Sequence, residues 1–174
     1  DDIIDNADTR RGEWSLQKKY GKRTAVICGD YLLCTALRLA SDAKDRSNYI
    51  SRDIPDYMRK VCLGELEQHV HNGNFSLSTY RYLKIIAGKT AALFEAAFHG
   101  GALFAGEDET AIKKYAKLGK YVGMIFQLTD DCMDYEATEE TAKKPVRSDY
   151  DQNVITLPLI RTFRTLDGFR ERAL

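Results

Sequence analysis

Residues 126–134 read Phe126-Gln127-Leu128-Thr129-Asp130-Asp131-Cys132-Met133-Asp134. In a helix, residues four apart differ by only about 40° around the axis, so Asp130 and Asp134 share a face, with Asp131 beside them. A long apolar-rich run from Ile112 leads into this stretch, which places it late in its helix. Acid at that end opposes the helix dipole and calls for a compensating cation. The chain opens with the same pattern, Asp1-Asp2-Ile3-Ile4-Asp5. Apolar residues fill the gaps in both copies, so neither is a solvated charge run. Such carboxylate clusters suit hard divalent cations, and Mg²⁺ takes few protein ligands where substrate phosphates supply the rest.

Outward from residue 126 the chain reads as helical. Proline is scarce, with three in 174 residues, and no strand-like alternation persists. Asp108 can cap the helix that carries the second acidic stretch, and Ser78 can cap one from Thr79 to about Phe104. That helix contains Gly100-Gly101, whose cost close helix packing could offset. Asp53 followed by Pro55 marks another start, with Met58, Val61, Cys62, Leu66, His69 and Val70 as its inward stripe and Gly73 ending it. From Arg23 to Ala40 apolar residues fill most of the surface, which predicts a helix buried on more than one side. Thr156 can cap a last helix, with Pro158 early enough to be tolerated. Asp1 to about Asn6 would be a helix tail, residues 7–20 a polar loop, and 136–155 a polar aperiodic segment. An all-α bundle follows, its two acidic stretches facing each other across an apolar interior.

Bulk properties exclude several classes. Hydrophobic residues form 44% of the chain, which excludes disorder. The formal net charge is zero, which argues against a nucleic-acid binder. No apolar run reaches the ~20 residues of a bilayer crossing, so no transmembrane segment is expected. Cys28, Cys34, Cys62 and Cys132 form no Cys-x-x-Cys pair and read as buried free thiols in a reducing compartment, hence a cytoplasmic protein. His69, His71 and His99 read as surface or packing residues.

The chain resembles the trans-polyprenyl diphosphate synthases, the head-to-tail prenyltransferases. The resemblance rests on Asp1 to Asp5 followed by Arg10-Arg11-Gly12, on Gly29-Asp30-Tyr31-Leu32-Leu33, and on Gly64-Glu65-Leu66-Glu67-Gln68. Lys89-Thr90, Phe126 to Asp134, Lys144-Pro145 and Thr156-Leu157-Pro158 continue it in the family's order and spacing. It is strongest to the catalytic subunit of medium-chain, heptaprenyl-type members. It implies an isoprenoid-synthase-type helical bundle with a central apolar cavity. Residues 1–174 would be a single polyprenyl synthetase domain lacking its N-terminal third, because the first motif begins at Asp1.

The resemblance also implies an activity: Mg²⁺-dependent condensation of isopentenyl diphosphate with an allylic diphosphate, giving a medium- or long-chain product for isoprenoid and quinone side-chain biosynthesis. Roughly three Mg²⁺ ions would bridge the allylic diphosphate to the two acidic motifs. The implied metal residues are Asp1, Asp2, Asp5, Asp130, Asp131 and Asp134, with Asp1 and Asp5 on one wall, Asp130 on the other, and the rest as ligands or their partners. Arg10, Arg11, Lys89 and Lys144 would bind substrate diphosphate; of the implied catalytic residues Lys89, Thr90 and Gln127, Lys89 would touch the allylic diphosphate while Thr90 and Gln127 would help stabilise the cation. The family's loop glycines are replaced here by Lys143, Arg147 and Asn153; asparagine tolerates a positive φ, whereas lysine and arginine do so poorly. The segment from Glu136 to Ile155 is expected to order when Mg²⁺ and diphosphate bind. The Arg23 to Ala40 helix has too few polar positions for one exposed face, which predicts a homodimer, or a heterodimer with a small helical subunit. Competing readings are a farnesyl or geranylgeranyl diphosphate synthase, a class I terpene cyclase, and a non-catalytic partner subunit of such an enzyme. Ala91, Ala92, Ala96, Ala97 and Gly100 would leave room for a long product.

Overall fold

Arg11 and Gly12 both adopt left-handed backbone, with φ of 53° and 83°. Two such residues in succession close a tight antiparallel hairpin, and glycine makes the second conformation inexpensive. The strands are β1 (Thr9–Arg10) and β2 (Glu13–Trp14), with Arg10 opposite Glu13. The computed structural model describes residues 2–4, 6–41, 49–136, 149 and 152–165. The chain divides into two compact units, Asp1–Ser51 and Arg52–Leu174.

In the first unit, residues 2–4 form turns rather than the expected helix tail. The polar stretch expected as loop is ordered by side chains. Ser15 Oγ accepts from Lys18 N at 3.3 Å to cap the short helix α1 (Leu16–Tyr20), and donates to Ala7 O at 2.8 Å. Gln17 Nε2 donates to Asp2 O and Ala7 O at 2.6 and 2.8 Å. Helix α2 (Lys22–Ser41) matches the expected span, but not the expected burial. None of its residues is buried, and Val26, Ile27, Tyr31, Leu32, Leu33 and Leu39 are exposed. By length and composition alone, α2 is long and apolar enough to cross a bilayer. Asp30 lies near its midpoint, where a charge in hydrocarbon is costly.

In the second unit, a π-helical turn ending at Asp53 leads into α3 (Ile54–His71). The expected inward stripe of α3 is largely on the surface. Cys62, Leu66, His69 and Val70 are exposed, while Tyr57 and Gly64 are buried. Glycine adds nothing to a hydrophobic pattern, and the positions flanking it on that face, Glu65 and Gln68, are polar. Gly64 is needed for contact: a Cβ there would lie 2.2 Å from Lys89 N.

Ser78 Oγ accepts from Arg81 N at 3.1 Å and starts α4 (Thr79–Ile86). A π-helical turn at Ala87–Ala91 then joins it to α5 (Ala92–Phe104). The single helix expected over 79–104 is therefore continuous but widened by one π turn, a feature frequent at functional sites. Asp108 Oδ1 accepts from Thr110 N and Ala111 N at 2.8 and 2.9 Å, capping α6 (Glu109–Glu136). α6 approaches closely at Gly119 and Gly123, where a Cβ would fall 2.6 Å from Phe94 O and from Ala91 Cα. Gly101, in contrast, has open space around it. Ala91 is fully buried beneath that approach rather than leaving room for product.

The core joins Leu77, Tyr82, Ile85 and Ile86 to Ile155, Leu159 and Ile160 of the final segment. Each fully buried isoleucine contributes roughly 1.5–3 kcal/mol. Asn153, at φ 58°, turns the chain into α7 (Leu157–Thr165) and accepts from Gly73 N at 2.7 Å. Thr156 stands at the expected cap position, and its backbone carbonyl accepts from Ile160 N at 3.0 Å. The four cysteines form no disulfide, as expected, yet Cys34, Cys62 and Cys132 are exposed and Cys28 is half-buried, which corrects the burial.

Candidate active site

Gly123 and Gln127 lie one turn apart on one face of α6. The close approach at Gly123 therefore brings Gln127 onto the π turn. Thr90 Oγ1 donates to Gln127 Oε1 at 2.5 Å, and Gln127 Nε2 donates to Asp131 Oδ1 at 2.7 Å. Asp131 Oδ2 accepts from the Tyr82 hydroxyl at 2.5 Å. One hydrogen-bonded chain thus runs from α4 through α6 to the π turn. Lys89, beside Thr90, pairs with Glu65 Oε2 at 3.3 Å and donates to Gln68 Oε1 at 3.2 Å.

The site holds more negative charge than its lysine offsets. Asp131 and Asp134 are 3% and 2% exposed, and Asp130 is half-buried. Burial pushes the Asp131 carboxyl up; the Tyr82 and Gln127 hydrogen bonds oppose this, Asp130 adds to it, and Lys89 opposes it. Burial raises Tyr82 above the tyrosine range, reinforced by Asp131. Asp149, whose backbone N–H donates to Asp134 Oδ2 at 3.3 Å, is pushed up to about 7, first by burial and then by Asp131 and Asp134. Burial also lifts Tyr135 to about 12. A cleft of about 430 Å³, counting its mouth, is lined by Gln68, Tyr82, Lys89, Gln127, Asp131 and Asp149 among others.

Carboxylates crowded beside one lysine fit a hard divalent cation by charge and donor type. Among the described residues no three His, Cys, Asp or Glu side chains form a metal site by themselves.

The structure brings together Lys89, Thr90, Gln127, Asp130, Asp131 and Asp134. Asp2, Arg10 and Arg11 belong to the first unit. There Arg10 Nη2 pairs with Asp2 Oδ1 at 2.6 Å, and Arg11 is exposed at the hairpin tip. Asp1, Asp5 and Lys144, with Lys143 and Arg147, lie outside the described residues. Sequence reasoning assigned no role to Tyr82, Glu65, Gln68 or Asp149. Glu65 and Gln68 carried a signal, being three apart on one helix face within a quoted motif. Tyr82 carried only its place two turns before Lys89.

The polyprenyl synthetase family model matches residues 1–172. Heptaprenyl diphosphate synthase component 2 of Geobacillus stearothermophilus is 40% identical over 161 residues, covering 92% of this chain and 49% of that protein. The chain spans about half the length of the curated relatives it matches. Among solved structures, heptaprenyl diphosphate synthase from Staphylococcus aureus superposes with a TM-score of 0.92 at 34% identity, over 99% of this chain and 54% of that one. Polyprenyl synthase from Caulobacter crescentus, complexed with calcium and isoprenyl diphosphate, gives 0.90 at 32% identity over 98% and 51%.

Proposed function

The chain belongs to the polyprenyl synthetase family, and from that premise we propose that it serves in head-to-tail prenyl transfer. An allylic diphosphate would be extended by isopentenyl diphosphate to a medium- or long-chain, heptaprenyl-like trans-polyprenyl diphosphate. The allylic C–O bond breaks with its electrons leaving on diphosphate. The double bond of isopentenyl diphosphate attacks the allylic carbon, and a proton is lost.

The observation that carries this reading is the Thr90–Gln127 pair held beside Lys89 and the second acidic motif. Lys89 can donate to diphosphate oxygens, the stronger charge-assisted kind of contact. Thr90 Oγ1 and Gln127 Oε1 present electronegative oxygens where positive charge develops on the allylic carbon. Mg²⁺ would supply charge neutralisation of the leaving group, with Asp130 proposed as one ligand and Asp1 and Asp5 of the first acidic motif as others. The Caulobacter crescentus relative, with calcium and isoprenyl diphosphate bound, supports that ligand class. Arg10, Arg11 and Lys144 are proposed as further diphosphate contacts; Arg10 would exchange Asp2 for phosphate.

The relative from Geobacillus stearothermophilus is component 2 of its synthase. Together with the exposed apolar residues of α2, this supports assembly with a second chain, identical or not. Four cysteines outside any disulfide support a reducing, cytoplasmic setting.

The test is incubation of the full-length protein with labelled isopentenyl diphosphate, an allylic primer and Mg²⁺, followed by product sizing. A ladder ending in a medium-length chain is expected. A product stopping after one or two additions would favour the farnesyl or geranylgeranyl alternative. No incorporation, even with a candidate second subunit added, would favour the non-catalytic reading.

A further inference from the structure

Asp131 is the middle acid of its motif, yet its environment differs from that of a metal ligand. It is 3% exposed, and a donor occupies each carboxylate oxygen: Tyr82 on Oδ2 and Gln127 on Oδ1. Its neighbour Asp130 is the more open of the two. A carboxylate accepts only, so it dictates which end of the Gln127 amide faces it. Nε2 must turn toward Asp131, and Oε1 is then left to the Thr90 hydroxyl, as observed at 2.5 Å. If the amide were reversed, its N–H₂ group would face Thr90 and present partial positive charge where the carbon becomes cationic.

We propose that Asp131 and Tyr82 are positioning residues that lock the orientation of the Gln127 side-chain amide, and that Asp131 is not a metal ligand. Tyr82 anchors the carboxylate through Oδ2. Asp131 orients Gln127 through Oδ1, and Gln127 carries that orientation to Thr90. The consequence for rate rests on the prenyl-transfer reading above; the consequence for metal binding does not.

The test uses three variants of the full-length enzyme: Asp131→Asn, Tyr82→Phe and the two combined. In Asp131→Asn, the tyrosine hydroxyl holds the new amide by its oxygen, which leaves an N–H₂ group facing Gln127 and reverses the glutamine. The rate constant kcat should fall roughly 10–100-fold, the range seen when such outer partners are removed. KM for both diphosphates, and the midpoint of a calorimetric Mg²⁺ titration with inorganic diphosphate, should stay within about twofold. Tyr82→Phe, which removes one oxygen, should lower kcat less. In the double variant the new amide is free to turn its oxygen to Gln127 Nε2, so kcat should recover several-fold over Asp131→Asn alone.

A purely structural role would lower the thermal midpoint of all three variants without that recovery. A double variant no faster than Asp131→Asn overturns the proposal. So does a Mg²⁺ midpoint raised tenfold or more in Asp131→Asn with rate restored by excess Mg²⁺. A wild-type enzyme that incorporates no isopentenyl diphosphate overturns prenyl transfer instead, and the titration with inorganic diphosphate still decides whether Asp131 binds metal.

Discussion

Asp2 sits among turns beside a hairpin and accepts from Arg10, whose side chain is 54% exposed. Asp131 holds the same place in the repeated pattern, but it is buried on α6 and accepts from a tyrosine and a glutamine. The first acid is neutralised by a full opposite charge in water, an arrangement worth little to stability and easily exchanged. The second is satisfied in its hydrogen bonds but not neutralised, and its desolvation opposes folding. Neutral donors fix geometry and leave the charge available. The region around α6 therefore gathers buried acid that Lys89 offsets only in part, while the hairpin region pairs its acid with its own cation.

The largest test of this contrast is Asp130→Ala. It should lower turnover by roughly 10³-fold or more with helical circular dichroism unchanged, on the scale of removing a principal electrostatic group. Near-normal rates at saturating Mg²⁺ would break the contrast, and Asp1→Ala tests the first motif in the same way.

Next in size is Gly64→Ala. The added methyl meets backbone 2.2 Å away at Lys89, so the π turn must shift. A loss of roughly 1–3 kcal/mol is expected by denaturant titration, as for overpacked cores. Gly101→Ala, in open space within α5, should instead be neutral or stabilising by up to about 1 kcal/mol. Equal effects at both positions would remove the case for a rigid second region.

A smaller effect is expected from Asp149→Asn in the metal-free protein. Burial and its acidic neighbours raise the Asp149 carboxyl from 3.8 to about 7. The fold thus binds this proton more tightly than the unfolded chain does. The contribution to stability is full below the ordinary carboxylate value and is lost as pH rises through about 7. Removing the charge should flatten stability between those pH values and add roughly 1 kcal/mol at pH 8, a fraction of what the full shift implies. A stability profile unchanged by the substitution would show that the excess charge is already relieved.

The smallest effect belongs to Arg10→Ala. Its exposed ion pair should contribute under about 1 kcal/mol to stability, while KM for a diphosphate substrate rises. A larger loss of stability would make the hairpin region as dependent on its charges as α6.

Much of this was legible from residues alone. Ser78 and Asp108 cap where their side-chain chemistry says they can, and Asp130 falls late in α6 as the apolar run before it required. Asn153 took the left-handed backbone that its replacement of a glycine suggested. The face of α3 was misjudged because its buried positions are a glycine and polar site residues, which mimic a solvent face. The burial of α2 was misjudged because a pattern reports that an apolar face wants cover, not whether this part of the chain supplies it.

The sequence by itself determined the all-α class, the family, the places where helices begin, and the two acidic motifs. These follow from local propensity and short-range spacing, which are written along the chain. Only the tertiary structure decided that Tyr82 meets Asp131 across 49 residues and Thr90 meets Gln127 across 37. Those meetings depend on backbone approaching backbone at Gly64 and Gly123. A glycine contact is made of missing atoms, so it leaves no mark in a hydrophobic pattern, yet it brings α3 and α6 against the turn that carries Lys89 and Thr90.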